Sequence, residues 1–596
     1  MSLTNKIKQA TTAAITSLYT IDIPKNAILV NATKPEFEGD YTVVLFAFVK
    51  QLKKSPDALG QELGSYLVAN NPSLFTGFNV IKGFLNLSII DSFWTNFIQS
   101  QYTNATYGIA PQNGEKVMVE YSSPNTNKPL HLGHLRNNFL GWSIAEILKA
   151  NGYDVVKTCI VNDRGIHICK SMIAWQLFAN GATPESTGMK GDHFVGNYYV
   201  QFNDEYKRQV EELVLKKGMT KEGAEKKAPI MLATQQMLLD WESGNPEVMA
   251  LWERMNTWVY AGFDTTYKAI GSNFDRTYYE SQTYLLGKDL VEKGLEKGVF
   301  YQKEDSSVWI DLTADGLDEK IVRRKDGTSV YITQDIGLAV NKYEQYHSNK
   351  SIYVVGDEQN YHFKVLKLIC QKLGLPSADG IFHLSYGMVE LPTGKMKSRE
   401  GTVVDADDLV AEMINISQHK TEELGKVKDF TPAELTNLYN TIGLGALKFY
   451  LLRVDPKKKM IFNPQESIEF QGFTGPFVQF IHARIKSILR KMAAEGFAIE
   501  PINITSNLLP QEKAIIVELE LFPTVIHDAA QEYDPSKIAI YTYNLAKTFS
   551  SFYSELSIAN AESEEKKTLR LQLSQLTAYT LKTSMQLLGA SVPERM

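Results

Sequence analysis

The chain has 596 residues, 44% of them hydrophobic, a formal net charge of −6 and three cysteines. That length implies several domains of roughly 100–200 residues, and the charge argues against general polyanion affinity while leaving a local basic face open. No apolar run nears the roughly 18 residues that span a bilayer, and Cys159, Cys169 and Cys370, scattered with no Cys-x-x-Cys pair, speak against a disulfide framework or a cysteine zinc site and fit a reducing, cytoplasmic compartment.

The first 21 residues hold lysines and Ser/Thr but no acid, a composition that transit peptides share; they also lack arginine. Leu3, Ile7, Ile15 and Leu18 fit the buried stripe of an ordinary helix. The run 43-VVLFAFV-49 reads as a buried segment, 78-FNVIKGFLNLSII-90 as strand-like and 111-PQNGEK-116 as a linker. A short buried strand follows at 117-VMVEY-121. Leu135, Phe139, Ile144, Ile147 and Leu148 then keep helical spacing until Asn151-Gly152, and 154-DVVKTCIVN-162 supplies the next strand. Strand–helix–strand is the unit of a doubly wound α/β domain. Residues 185–270 read as a charged helical insertion. Hairpins are expected at Asp305-Ser306-Ser307 and at Asp326-Gly327, and strand–helix alternation resumes with 351-SIYVVG-356 and 362-HFKVLKLICQKLG-374. Beyond about residue 435 the pattern is long helices. The expected architecture is a multidomain α/β chain: an α+β N-terminal domain over 1–112, a Rossmann-like parallel-sheet domain over 113–430, and an all-helical domain over 431–596.

The run 120-EYSSPNTNKPLHLGHLRNNFLG-141 places two histidines around a glycine where strand gives way to helix. Free N–H groups and the dipole at a helix start attract anions. His131 and His134 share a helical face, and Gly133 lets a flat ring approach the backbone. This spacing suggests a nucleotide site; taken alone, the four residues fit a pair of surface histidines beside a turn better.

The run 122-SSPNTNKPLHLGHLR-136 resembles the first nucleotide-binding motif of class I aminoacyl-tRNA synthetases, in its arginyl-tRNA synthetase form. The likeness continues at 162-NDRGIHICKS-171, 331-YITQD-335, 351-SIYVVGDEQNYH-362, 395-KMKSREGTVV-404, 474-TGPFVQFIHARI-485 and 593-PERM-596, and so covers nearly the whole chain. The resemblance implies ATP-dependent ligation of arginine to tRNA(Arg) through an arginyl-adenylate, with Mg²⁺ accompanying ATP, by a monomer. It implies that His131, His134, Lys128 and Lys395 are catalytic, and that Asn125, Gly133, Met396, Lys397, Ser398 and Arg399 join them at the nucleotide. The second motif departs from its usual Lys-Met-Ser-Lys-Ser: Lys397 stands in the first serine position and Ser398 in that of the second lysine, whose role falls to Lys128 in the family pattern.

A planar guanidinium with five donors demands a carboxylate and further acceptors. Tyr331 and Asp335 lie four apart, on one face if helical. The resemblance implies that they hold the arginine side chain, that Gln359 adds a third polar contact, and that Glu120 and Asn125 lie near the α-amino and carboxylate end. His167 is expected to be a packing residue, and His362 is left open. The resemblance further implies tRNA contacts by the N-terminal domain, with Phe84 and Asn86 as candidates, and by the helical domain as the anticodon-binding region, with Gln479 and Arg484; Gln479, His482 and Arg484 could instead brace that region on the core. Adenylate formation is expected to need bound tRNA. Competing readings are a synthetase for cysteine or glutamate and a non-catalytic relative. The lack of paired cysteines and the segment 331–335 weigh against the first, and the intact motif residues against the second.

Overall fold

A computed structural model describes residues 2–34, 36–392, 404–423, 425 and 429–596. The first helix, Leu3–Tyr19, is capped by Ser2 and buries Leu3, Ile7 and Ile15 as its spacing predicts; Leu18 departs from the stripe and is exposed. It packs beside an antiparallel sheet of β1 (Val30–Ala32), β2 (Tyr41–Val44), β3 (Phe75–Ile81) and β4 (Phe84–Ile89), in the order β1-β2-β4-β3. The run 43–49 is not one buried segment: the strand stops at Val44, and helix Phe46–Leu52 leaves Phe46 exposed. The strand-like run 78–90 is folded in two at Lys82-Gly83, both of which have positive φ (50° and 79°), the backbone of a tight hairpin turn.

The central sheet is parallel and has five strands: β5 (Lys116–Glu120), β6 (Asp154–Val161), β7 (Arg276–Tyr279) and, after a small antiparallel sheet of β8 (Tyr301–Gln302), β9 (Val308–Ile310) and β10 (Lys320–Arg323), β11 (Lys350–Gly356) and β12 (Ile381–Tyr386). Its order is β12-β11-β5-β6-β7. The chain leaves β5 toward β6 on one side and returns as β11 on the other. In such sheets ligands bind at the carboxyl ends of the strands, where the order reverses. Helices Gly191–Lys217, Lys221–Lys227, Pro229–Glu242 and Pro246–Ile270 stand between β6 and β7. The two hairpins form where expected: β8 and β9 are antiparallel, and Arg323 bridges Ser329 around Asp326-Gly327.

Helices Pro432–Leu452, Gly475–Ala494, Pro510–Glu532, Ser536–Glu555 and Glu564–Leu587 follow. The N-terminal region docks on them. Glu520 is buried and accepts hydrogen bonds from the Leu3 amide (2.6 Å) and the Tyr41 hydroxyl (3.3 Å), while its carbonyl accepts from the Tyr107 hydroxyl (3.3 Å). One continuous apolar core runs through all three regions. Among the described residues no helix is long and apolar enough to cross a membrane.

Candidate active site

The helix Leu132–Ala150 begins at the carboxyl end of β5 with His131 as its N-cap. Its polar inner face staples the sheet. The Asn137 side chain donates to the Val354 carbonyl of β11 (2.7 Å) and accepts the Ser122 amide (2.6 Å), and Asn138 donates to the Ser122 hydroxyl (3.0 Å). Arg136 is fully buried and donates to the carbonyls of Met388, Pro456 and Lys458. The helix N-terminus is therefore fixed to the two central strands.

The Gly133 N–H donates to His131 Nδ1 (3.1 Å), and the His131 N–H donates to His134 Nδ1 (3.2 Å). The rings lie 3.9 Å apart. Burial, reinforced by Lys128, pushes His131 down to about 4; burial, with His131 and Lys128 adding to it, holds His134 far below the usual imidazole value. Both rings are thus neutral, and because each Nδ1 accepts, each proton sits on Nε2. The pair presents two Nε2–H donors at a helix start, the arrangement a phosphate oxygen requires. A Cβ on Gly133 would stand 2.9 Å from His131 Cε1 and 3.1 Å from its Nδ1; the ring that the glycine admits is that of His131 itself. Lys128 and His131 line one cavity of about 420 Å³ together with His193, Tyr199 and Asp405. Asn125 is exposed at the strand end and bridges Asn162 after β6. Lys395, Met396, Lys397, Ser398 and Arg399 lie outside the described residues.

Tyr331 and Asp335 begin helix Tyr331–Tyr346, on one face as four-residue spacing requires. Tyr331 is 71% exposed, so its ring is open to a ligand. Asp335 Oδ2 lies 2.7 Å from His362 Nε2, which gives the undecided histidine a partner. Gln359 is exposed in the turn after β11.

Sequence reasoning missed Glu280, at the carboxyl end of β7. Burial, only partly opposed by Arg164 and helped by Asp163 and Asp335, raises its carboxyl to about 7. A carboxyl so placed would regain its charge beside a cation; the signal was an acid directly after the strand 276-RTYY-279. Asp163 is wholly buried and accepts from the Ser281 amide, the Ser281 hydroxyl and the Tyr260 hydroxyl.

Four assignments need correction. Glu120 is buried and its carboxylate is paired with Lys342, whose ammonium also lies against the Tyr278 and Tyr353 rings; that acid is neutralised from within. Asn86 is 1% exposed, accepting from the Thr42 hydroxyl (2.6 Å) and donating to Asn79 (2.8 Å), so its amide is turned into the sheet and out of reach of a base. Gln479 is fully buried and donates to the carbonyls of Thr441 (2.9 Å) and Ser591 (2.8 Å), while His482 is buried against the Pro593 carbonyl; both brace the helical region. Phe84 and Arg484 remain available: Phe84 is partly exposed, edge-on to Phe46, and the Arg484 guanidinium lies over Phe480 and near Tyr553. His167, expected to pack, is exposed and pairs with the Tyr199 hydroxyl.

Asp192, His193 and Asp407 approach one another closely enough to share a metal ion. The Lys190 ammonium already bridges the two carboxylates, at 3.1 Å and 2.5 Å.

Residues 98–463 match the model of the class I (R) tRNA synthetase catalytic domain, residues 2–89 that of the arginyl tRNA synthetase N terminal domain and residues 478–596 that of the DALR anticodon binding domain. The chain is 52% identical to the arginine–tRNA ligase of Parabacteroides distasonis and 53% identical to that of Flavobacterium psychrophilum, with all of both chains covered in each case. The chain belongs to the arginyl-tRNA synthetase family. The Thermus thermophilus arginyl-tRNA synthetase shares the fold across 100% of both chains at a TM-score of 0.80 and 24% identity. The Mycobacterium tuberculosis methionyl-tRNA synthetase, in complex with methionyl-adenylate, covers 80% of this chain and 92% of its own at a TM-score of 0.51 and 12% identity. The family's catalytic region contains both the histidine pair and the Tyr331–Asp335 face.

Proposed function

We propose that this chain ligates arginine to tRNA(Arg) in two steps, arginyl-adenylate formation from ATP followed by transfer to a ribose hydroxyl at the tRNA 3′ end. The observation that carries the reading is the neutral histidine pair with both Nε2–H donors at the helix start, in a chain whose family ligates arginine. In the first step the substrate carboxylate attacks the α-phosphorus and pyrophosphate leaves. No protein nucleophile is needed, so catalysis is alignment and charge stabilisation. His131 and His134 donate to the phosphates, Lys128 neutralises them, and Gly133 keeps the His131 ring folded back.

Asp335, with Tyr331 and Gln359, takes the guanidinium, and Glu280 adds a second carboxylate to the same end of the sheet. Asn125 serves the α-amino and carboxylate end. Mg²⁺ enters on the phosphates of ATP, because the one three-residue cluster of metal-ligating type among the described residues is already spanned by Lys190. Phe84 stacks on an unpaired base and Arg484 meets the anticodon arm. The division at residues 112 and 430, a monomeric state and residence in the cytoplasm complete the reading. Arginine- and tRNA-dependent exchange of pyrophosphate into ATP tests it: exchange with arginine and not with lysine is expected, and none with arginine refutes it.

A further inference from the structure

His131 is held from outside its own helix. The Leu132 N–H donates to the Val404 carbonyl (3.1 Å) and the Ala406 N–H donates to the Leu130 carbonyl (3.0 Å), an antiparallel bridge that sets Asp405 opposite His131. What fixes residues 404–406 therefore fixes the backbone on both sides of the imidazole that meets ATP.

Two carboxylates do the fixing. Asp405 Oδ1 accepts the amides of Asp407 (2.8 Å) and Asp408 (3.2 Å), capping helix Ala406–Glu423, and its Oδ2 pairs with His193 Nε2 at 2.9 Å. Asp407 takes the Lys190 ammonium on Oδ2 (2.5 Å) and the Thr266 hydroxyl on Oδ1 (2.8 Å). Lys190, His193 and Thr266 all belong to the helical insertion. The helix carrying His193 also lies flush on the motif: a Cβ on Gly196 would stand 2.8 Å from Pro129 Cδ. Behind it Asp192 is fully buried, and a Cβ on Gly262 would stand 2.3 Å from Asp192 Oδ1, so the two long insertion helices meet without slack.

We propose that His193 is a positioning residue for adenylate formation: through Asp405 it holds the stretch that brackets His131, and so ties the helical insertion to the nucleotide site. This rests on the function proposed above. The Asp405 side chain both caps the helix and pairs with His193, at the residue whose backbone neighbours bridge the motif, and its imidazole partner titrates. The Asp405 carboxylate beside it raises His193 above its usual value, burial opposing and Asp192 adding, while Lys190 works against it. Asp407 faces the same nitrogen at 3.5 Å, and Lys128 and Asp408 line the adjoining cavity. As pH climbs through that raised value the imidazole loses its charge and the bridge weakens, so the wild-type rate declines on the alkaline side.

The test is steady-state ATP–pyrophosphate exchange with arginine and tRNA(Arg) across pH. His193→Ala lowers kcat on the order of 10- to 100-fold, raises the KM for ATP and leaves the KM for arginine unchanged. His193→Lys, which restores a cation opposite Asp405, recovers most of the rate and shows no decline over the histidine range. Asp405→Asn keeps the helix cap and loses the same alkaline limb. Wild-type kcat and pH profile in His193→Ala overturn the proposal. Should the wild-type chain itself show no arginine-dependent exchange, the functional reading falls instead. Calorimetric ATP affinity then decides the positioning role: weakened binding in His193→Ala supports it and unchanged binding overturns it.

Discussion

The Asp335 carboxylate and the His362 ring are joined at 2.7 Å, on helix Tyr331–Tyr346 and on the helix that follows β11. One oxygen is oriented by the imidazole. The other oxygen is the one a guanidinium can meet. Asp335→Asn keeps the shape and removes the charge. It is expected to raise the KM for arginine roughly 10- to 100-fold, while ATP binding measured directly stays unchanged. His362→Gln, which loosens the carboxylate without discharging it, is expected to do less. Equal effects of the two substitutions count against Asp335 as the charged contact.

The neutral histidines predict a pH signature. His131 in the folded chain takes its proton near 4, whereas an unfolded histidine takes it near 6.5. Between those values the unfolded state binds more protons, so the free energy of unfolding falls as pH drops from 6.5 to 4. His131→Asn, which retains a good N-cap, removes its share of that fall and abolishes adenylate formation. Urea midpoints at pH 4.5 and 7 compare the two chains, and nitrogen-15 NMR should show Nε2 protonated in both rings at pH 6.

Gly133→Ala drives a methyl group to within 2.9 Å of the His131 ring. The ring must swing away and its acceptor bond to the Gly133 amide breaks. Adenylate formation is expected to fall on the order of 10- to 100-fold, with an unfolding midpoint no lower than wild type, because alanine favours the helix by about 1 kcal/mol. Loss of rate with loss of fold is the outcome that contradicts this.

Lys448 is buried in helix Pro432–Leu452; its ammonium donates to the Gly589 carbonyl (2.7 Å), and no described carboxylate pairs with it. Burial lowers it to about 8. From pH 8 to its ordinary 10.5 the unfolded chain retains a proton the folded chain has lost, so this residue makes folding more favourable as pH rises across that window. Lys448→Met is expected to flatten that part of the curve and to unfold at higher urea at pH 7. Parallel curves for the two chains from pH 7 to 10 contradict it.

Asn86 and Phe84 separate packing from recognition. Asn86→Ala takes an acceptor from the Thr42 hydroxyl and the donor from Asn79 Oδ1 and is expected to cost about 1–3 kcal/mol of stability. Phe84→Ala is expected to raise the KM for tRNA with ATP and arginine unaffected, as filter binding and initial rates report.

Where function was legible in the chain, the physics was local. A strand running into a helix, two imidazoles three apart and a glycine between them suggest a helix-start anion site, and the longer run 122-SSPNTNKPLHLGHLR-136, through its family resemblance, decides between that and a pair of surface histidines. The shared face of Tyr331 and Asp335 follows from the helical period, and its role from the family resemblance. What escaped depends on pairing at a distance. Glu280 follows a four-residue strand too short for periodicity, and its raised value comes first from burial, with Asp163 and Asp335 adding and Arg164 opposing, none of them adjacent to it. Lys342 reads as an ordinary surface charge on a helix, yet it neutralises Glu120 across the sheet. Asn86 looks like a polar strand residue facing water, and only the neighbouring strands show that Thr42 and Asn79 enclose it. Which strand lies beside β5 is likewise set by the return of β11 after the whole insertion, and no window of sequence records that.

The acceptors that Glu520 offers to Leu3, Tyr41 and Tyr107 have a consequence during synthesis. The N-terminal region leaves the ribosome long before helix Pro510–Glu532 has been made, and at roughly 5–20 residues per second that interval lasts on the order of half a minute. For that time the face of the first sheet that will rest on the helix stays wet, and its amide and hydroxyl donors are served by water. The newborn chain therefore carries an unfinished seam from its earliest moments, a natural grip for chaperones, and damage at Glu520 will register as poor yield of nascent protein before it registers in the rate of the mature enzyme.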